Sequence, residues 1–234
     1  MTTPVPQEDC AALSAATARL LDTVSGLSDA DVTAPSRLPG WTRGHVLAHL
    51  ARNSDALIEV LAGRPMYASA EARDADIAEG APRPAATQLA DLTFTAHRLD
   101  GAFTAQPDGE AGWQRTIELR NGVTDLVAGI PWRRWIEVEL HHVDLGAGYG
   151  LDDIPEEFVG REIANLAKRF TGHPDLGVGI ELRSEDGQSW RTGTPDGEPV
   201  VVTGRPADLL GWISGRGDAT ALTASAELPV LPTF

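Results

Sequence analysis

Apolar residues recur every three or four positions through the first half of the chain, which is the period of amphipathic α-helices. Four such segments are predicted, at residues 8–25, from Thr42 to Gly63, at residues 85–105, and from Pro131 to about Gly146. Thr42 suits the N-cap position of the second segment, and Pro131 suits the first helical position of the fourth. The first half is therefore predicted to form a four-helix bundle.

The second half of the chain has a different period. A helix is predicted at residues 155–170, after which alternating positions indicate strands at 178–182, 189–193 and 199–203, a short helix at 207–215 and a last strand within 223–228. Asp186-Gly187 and Asp196-Gly197 are typical turn dipeptides between strands. The expected fold class is α+β, with a helical domain at residues 1–152 and a small α+β domain at residues 153–234.

Charge and composition exclude several classes of partner. The 234 residues include 19 basic and 34 acidic side chains, for a net charge of −15 and a pI near 4.7. Nucleic acids and anionic membranes attract basic surfaces, so neither is an expected partner. With one cysteine, Cys10, no intramolecular disulfide can form. No signal peptide or membrane span is predicted, and we expect a cytoplasmic monomer.

Histidines and glutamates on two predicted helices suggest metal chemistry. His45 and His49 are four residues apart on one helix, and Glu137 and His141 are four apart on another. Two nitrogens and one carboxylate from facing helices, with one position left open, are the ligands of a catalytic zinc. A solvent-exposed Glu–His pair is the common alternative for this spacing, and both interpretations stay open from spacing alone.

The sequence also leaves two interpretations open for each of several other residues. Asp144 is either a residue that orients His141 or a surface charge. Arg216 stands between two glycines after the short C-terminal helix, where its guanidinium either binds a carboxylate or simply ends the helix. Trp41 and Trp135 flank the candidate helices and either line a pocket or belong to the core. Glycine-rich phosphate loops and a G-x-S-x-G motif are missing from the sequence.

Taken together, four segments of this chain resemble one known family. They are LPGWTRGHVLAHLARN (38–53), PMYASAEARDADIAEGA (65–81), RRWIEVELHHVDLGAGYG (133–150) and LLGWISGRGDATALTASAELP (209–229). The chain resembles the mycothiol-dependent maleylpyruvate isomerases, whose N-terminal part belongs to the DinB-like four-helix metalloproteins. The PMYxSxEAR stretch is typical of the isomerases in particular, whereas the metal-binding segments are shared more widely.

The resemblance implies a set of functional residues. It implies zinc, or another divalent metal, held by His49, Glu137 and His141, through the pattern E-x-x-x-H-x-V-D-L-G at residues 137–146. It also implies that Arg216 is the catalytic arginine. His45 competes with His49 as the ligand from the first helix. Glu139 and His142 become neighbours of the ligands, and Glu139→Gln is expected to leave metal affinity and activity nearly unchanged.

The resemblance also implies a reaction of aromatic catabolism. The thiol cofactor is mycothiol, and its thiolate adds to the double bond of maleylpyruvate, an anionic small molecule. Rotation and elimination then release fumarylpyruvate. Two alternatives remain: a mycothiol S-transferase acting on another anionic electrophile, and a non-catalytic zinc-binding protein. An isomerase regenerates its thiol, a transferase consumes it, and a binding protein turns over nothing.

Overall fold

The structure of the protein is a computed structural model that describes residues 6–106 and 110–232. Its contacts divide the chain into two compact units, Met1–Tyr149 and Gly150–Phe234. The first unit is mainly helical and the second combines helices with a sheet, so the α+β prediction is confirmed. The boundary expected from the sequence, between residues 152 and 153, lies slightly further along the chain. No helix in the described ranges is both long and apolar enough to cross a membrane.

The first unit is built around a four-helix bundle. Its helices are α1 (Pro6–Ser25), α2 (Asp29–Thr33), α3 (Arg43–Leu61), α4 (Ala70–Gly80), α5 (Ala85–Thr104), α6 (Glu110–Trp113) and α7 (Ile130–Leu145). Helix α1 packs against α5 and α7, and α3 packs against the same two helices. All four long helices were predicted from periodicity. Their apolar stripes form the core, as in α1, whose buried apolar residues are Leu13, Ala16, Leu20 and Val24.

Besides the short helices α2 and α6, two elements of the first unit were missing from the sequence prediction. Helix α4 buries little apolar surface: Ile77 is its one large buried side chain, so its periodic signal is weak. Its start is nevertheless marked, because the Ser69 hydroxyl accepts a hydrogen bond from the Ala72 N–H as an N-cap. The second element is an antiparallel hairpin of β1 (Thr116–Glu118) and β2 (Thr124–Leu126), whose strands are too short to show alternation.

The second unit places two helices beside a four-stranded sheet. Its elements are α8 (Glu156–Phe170), β3 (Gly179–Ser184), β4 (Ser189–Gly193), β5 (Val200–Gly204), α9 (Pro206–Ile213) and β6 (Thr223–Ala224). The strand order is β4-β3-β5-β6, and β3 pairs parallel with β5 and antiparallel with β4. The predicted elements are all present, but the last strand is shorter than expected, because only Thr223 and Ala224 pair with β5.

Candidate metal centre

His49 on α3 meets Glu137 and His141 on α7. The His49 Nε2 atom lies 2.9 Å from Glu137 Oε2, and the His141 Nε2 atom lies 3.3 Å from the same oxygen. The candidate ligand atoms of the three residues all lie within 4.8 Å of one another. Ligands bound at about 2.1 Å in a tetrahedron are separated by about 3.4 Å, so this spacing fits one metal ion.

Helix geometry explains why these side chains converge. Glu137 and His141 are one turn apart on α7 and share a face, and that face packs against α3, which carries His49. The side chains of His49 and His141 are 8% and 15% exposed, whereas that of Glu137 is 34% exposed. The cluster is therefore enclosed by the bundle but open on the side of the carboxylate, where a further ligand can enter.

Asp144 holds His141 in place. Its Oδ2 atom lies 2.8 Å from His141 Nδ1, and the aspartate is buried. With Nδ1 engaged, Nε2 is directed toward Glu137, which is the arrangement by which carboxylates orient metal-binding histidines. Of the two interpretations left open by the sequence, the structure supports the orienting role. Burial opposes protonation of the ring, but the bonds to Asp144 and Glu137 outweigh it and raise the pKa of His141.

The pKa shifts of Glu137 and His49 favour the forms that coordinate a cation. Burial disfavours a charged carboxylate at Glu137, but hydrogen bonds from His141 and His49 outweigh that cost and hold the pKa of Glu137 well below its usual range. At His49, burial is the dominant effect and lowers the pKa, which favours the neutral ring. An ionised carboxylate and a neutral imidazole are the forms that coordinate metals.

His45 occupies a different position. Its Nδ1 atom accepts a hydrogen bond from the Thr42 N–H at 3.2 Å, while the Thr42 hydroxyl accepts one from the His45 N–H. This reciprocal cap places the His45 ring at the start of α3 rather than in the cluster. Trp41 stacks on His45, with ring centroids 6.0 Å apart, and packs edge-on against His49 at 5.7 Å. Of the two histidines that competed in the sequence, the structure brings His49 to Glu137.

Glu139 points away from the cluster into a buried network. It accepts hydrogen bonds from Arg19 Nη2 at 2.6 Å, Trp135 Nε1 at 2.9 Å and the Tyr149 hydroxyl at 2.6 Å. It has no solvent exposure. That Glu139→Gln leaves metal affinity nearly unchanged stays a prediction, but the variant is expected to be less stable, because an amide replaces the carboxylate that accepts all three hydrogen bonds. Trp135 belongs to the core, and His142 stacks on Tyr149 with ring centroids 3.8 Å apart.

Several residues around the cluster were not identified from the sequence. Arg73 Nη2 lies 3.2 Å from His49 Nδ1, and buried Arg134 donates to Asn53 Oδ1 at 2.8 Å. A signal for the second pair does exist in the spacing: Asn53 is one turn after His49, and Arg134 is one turn before Glu137. The pair therefore repeats the His49–Glu137 contact one turn away on the same two helices.

A cavity of about 220 Å³ opens onto the cluster. His49, Glu137, Tyr67 and three arginines contribute to its wall. A groove of about 550 Å³ shares Met66, Tyr67, Leu119 and Arg120 with this cavity. Small-molecule sites commonly have volumes of about 300–1,000 Å³, so the groove and the cavity together have room for such ligands.

Arg216 belongs to the second unit, where it follows α9. Its Nη1 donates to the Ser214 carbonyl at 3.0 Å, and its backbone N–H donates to the Gly211 carbonyl at 2.8 Å. Gly215 has a positive φ of 70°, and a Cβ at Gly217 would lie 3.2 Å from Gly211 Cα. The two glycines thus permit the tight turn that places Arg216 just beyond the helix.

Two histidines and one glutamate converge inside a four-helix bundle, and a small α+β unit follows the bundle along the chain. These features define a class of helical proteins with a candidate metal centre. The chain belongs to the mycothiol maleylpyruvate isomerase family. The N-terminal domain model of that family matches residues 13–146, and the MDMPI C-terminal domain model matches residues 153–233. The resemblance seen in the sequence is thereby confirmed.

Solved structures agree with this assignment. The chain is similar to the crystal structure of the mycothiol-dependent maleylpyruvate isomerase, with 30% sequence identity, a TM-score of 0.89 and complete coverage of both chains. A histidine-to-alanine mutant of a protein with the same name gives 29% identity, a TM-score of 0.89 and the same coverage. A comparison with curated protein sequences found no match.

Proposed function

We propose that this protein isomerises maleylpyruvate to fumarylpyruvate with mycothiol as the thiol cofactor. The observation that carries the proposal is the convergence of His49, Glu137 and His141 in a chain that belongs to the mycothiol maleylpyruvate isomerase family along most of its length. The cavity beside these residues gives a small substrate access to them.

We further propose that His49, Glu137 and His141 hold zinc. Two imidazole nitrogens and a carboxylate oxygen fit that ion and leave a fourth position toward the cavity. When bound, zinc would supply positive charge that keeps a thiol in its deprotonated, nucleophilic form. Glu137 offsets part of that charge, and Asp144 keeps His141 directed at the centre.

Arg216 is the proposed catalytic arginine. Isomerisation requires the double bond of the substrate to lose its double-bond character, which moves negative charge onto the adjacent carbonyl oxygen. A guanidinium can hold both that oxygen and a carboxylate, because its planar fork donates two parallel hydrogen bonds. The assignment rests on the family resemblance and on the glycine-flanked position of Arg216 after α9.

The groove that shares residues with the cavity is the proposed place for the remainder of the thiol cofactor. Its wall is mixed, with Arg64, Ser69 and Asn121 as polar side chains among apolar ones. Such a surface suits a polar molecule that places only its sulfur near Glu137. Metal identity, location in the cell and oligomeric state stay predictions: zinc, cytoplasmic and monomeric.

An assay of the zinc-loaded protein with maleylpyruvate and a catalytic amount of mycothiol tests the function. We expect complete isomerisation with the thiol recovered, and loss of turnover when either thiol or metal is omitted. Stoichiometric consumption of thiol would instead identify an S-transferase, and an absence of turnover would identify a metal-binding protein.

A variant tests the metal site separately. Glu137→Gln should lower zinc affinity at least about tenfold, because the amide carries no charge to offset that of the ion. Glu79→Gln, an exposed glutamate on α4, is the matched control and should bind zinc normally. Equal zinc affinity in the two variants would contradict the assignment of Glu137 as a ligand.

A further inference from the structure

Three arginines and one glutamate contribute to the wall of the cavity beside His49 and Glu137. Arg73, Arg120 and Arg133 all contribute to its wall, and Glu137 is the one carboxylate that does so among the described residues. The chain as a whole carries a net charge of −15. A local excess of positive charge in a cleft attracts anions, because the low-dielectric walls concentrate the field.

Two of these three arginines already have partners. Arg73 donates to Asp74 Oδ1 at 2.7 Å as well as to His49, and Arg133 Nε lies 2.5 Å from Asp125 Oδ2. Each is therefore partly neutralised by its own carboxylate. The guanidinium of Arg120, by contrast, forms no hydrogen bond or ion pair with any residue in 6–106 or 110–232.

The local backbone explains how Arg120 reaches the cavity. The residue begins the turn Arg120–Gly122, which connects β1 to β2. Asn121 and Gly122 have φ values of 61° and 72°, a left-handed conformation that asparagine and glycine adopt at low cost. The Leu119 N–H donates to the Val123 carbonyl at 2.7 Å and closes the turn. The hairpin thus holds Arg120 at the rim of the cavity.

We infer that Arg120 binds a carboxylate of the substrate. A guanidinium without a protein partner, beside a candidate metal centre, matches the planar geometry of a carboxylate. Arg73 and Arg133 can donate further hydrogen bonds to a second carboxylate, because each ion pair with an aspartate leaves some guanidinium N–H groups unused. This inference rests on the proposed function, because it names the group that selects the substrate of that reaction.

Direct binding of a simple dicarboxylate provides the test. Maleate is titrated into the metal-free and the zinc-loaded protein by calorimetry. We expect Arg120→Gln to weaken maleate binding about tenfold, the loss typical of one charge-assisted hydrogen-bonding group, and Arg120→Lys to be intermediate. Arg98→Gln is the control, because Arg98 pairs with Asp55 outside this cavity and should bind maleate like the unmodified protein.

Each outcome decides the inference. Unchanged maleate affinity in Arg120→Gln, with a normal thermal unfolding transition, overturns it. Inorganic phosphate that binds as tightly as maleate and depends equally on Arg120 also overturns it, because the site would then accept any anion rather than a carboxylate.

Measurements of turnover test this inference and the proposed function separately. With maleylpyruvate as substrate, Arg120→Gln should raise KM more than it lowers kcat, because the group acts on binding. If the protein binds maleate through Arg120 but does not isomerise maleylpyruvate, the inference holds and the proposed function is wrong. If the protein isomerises maleylpyruvate normally and Arg120→Gln binds maleate with unchanged affinity, the proposed function holds and the inference is wrong.

Discussion

His141 and Asp144 form the contact that directs one imidazole of the candidate metal centre. The Nδ1 atom of the ring lies 2.8 Å from a carboxylate oxygen that is buried in the same helix. Because the two residues are three positions apart on α7, the helix itself sets this geometry. The contact fixes which ring nitrogen faces Glu137, so it connects the fold of α7 directly to metal affinity.

Asp144→Asn should therefore weaken zinc binding by about 10- to 100-fold, since outer-shell partners of metal-binding histidines have effects of that size. Asparagine keeps the shape of the side chain but lacks the negative charge that supports the ring. Competition with a chromogenic chelator measures the affinity. Asp22→Asn, at an exposed position on α1, is the control. Equal affinities would mean that Asp144 serves only the packing of α7.

Arg73 is expected to oppose metal binding. A guanidinium only donates hydrogen bonds, so the Nδ1 atom of His49 must accept the one from Arg73. A neutral ring that binds metal through Nε2 carries its proton on Nδ1, where it would face another donor. Arg73→Met should therefore raise zinc affinity, by about tenfold.

The same chelator competition measures this effect. Arg98→Met is the control, because it also removes a partly exposed arginine but lies away from His49. A decrease in zinc affinity in Arg73→Met would show instead that the guanidinium supports the orientation of the His49 ring.

Glu139→Gln should lower the free energy of unfolding by about 2–4 kcal/mol, because it breaks charge-assisted hydrogen bonds to Arg19, Trp135 and Tyr149 in a buried position. Thermal or urea unfolding measures the loss. The folded variant should still bind zinc normally, since Glu139 is directed away from the cluster. A stability equal to that of Glu79→Gln would contradict this role.

Arg216→Lys should separate catalysis from metal binding. Lysine keeps the charge but loses the planar fork, so turnover should fall by about 100-fold or more, as it does when one transition-state donor is removed. Zinc affinity should be unchanged, because the candidate ligands belong to the other unit. Steady-state kinetics and metal titration on the same preparation check both. Normal turnover would remove Arg216 from the catalytic residues.

Glu162 on α8 should make stability depend on pH. Burial raises the pKa of this carboxyl from its ordinary 4.5 to about 7, although Asn165 and Arg216 act in the opposite direction. The folded state then binds the proton more tightly than the unfolded chain. Stability should therefore decrease as the pH rises from about 4.5 to about 7.

Glu162→Gln removes this dependence. The variant should resemble the unmodified protein below pH 5 and should be more stable at pH 8, by about 3 kcal/mol. Urea unfolding at several pH values measures the difference. Glu157→Gln, an exposed position on the same helix, should show no such divergence. A constant difference across the pH range would mean that Glu162 does not titrate in this interval.

Much of the fold was predictable because secondary structure depends on neighbours in the sequence. The stripe of Leu13, Leu20 and similar residues identified α1, and the glycine at 146 marked the end of α7, where it adopts a positive φ of 61°. Helix α4 and the β1–β2 hairpin were missed because they are short or mostly polar. Their places are set by contacts with the bundle rather than by a periodic signal.

The sequence by itself determined that Glu137 and His141 share a face, because four residues complete about one turn of a helix. It also left His45 and His49 as equal candidates, since both satisfy the same spacing. Only the tertiary structure decided between them, by using His45 as a cap for α3 and turning His49 toward α7. The burial of Glu139 was likewise decided by the tertiary structure, which places Arg19 of α1 and Tyr149 against it.

The cavity beside the metal centre shows most clearly what the sequence determines and what only the tertiary structure determines. Arg73, Arg120 and Arg133 come from separate elements and share no spacing that a sequence pattern could detect. They meet because the first turn of α4, the β1–β2 turn and the first turn of α7 surround one cavity. Local periodicity reaches only about four residues along the chain, whereas the charge in a cavity depends on which distant segments the packing brings together.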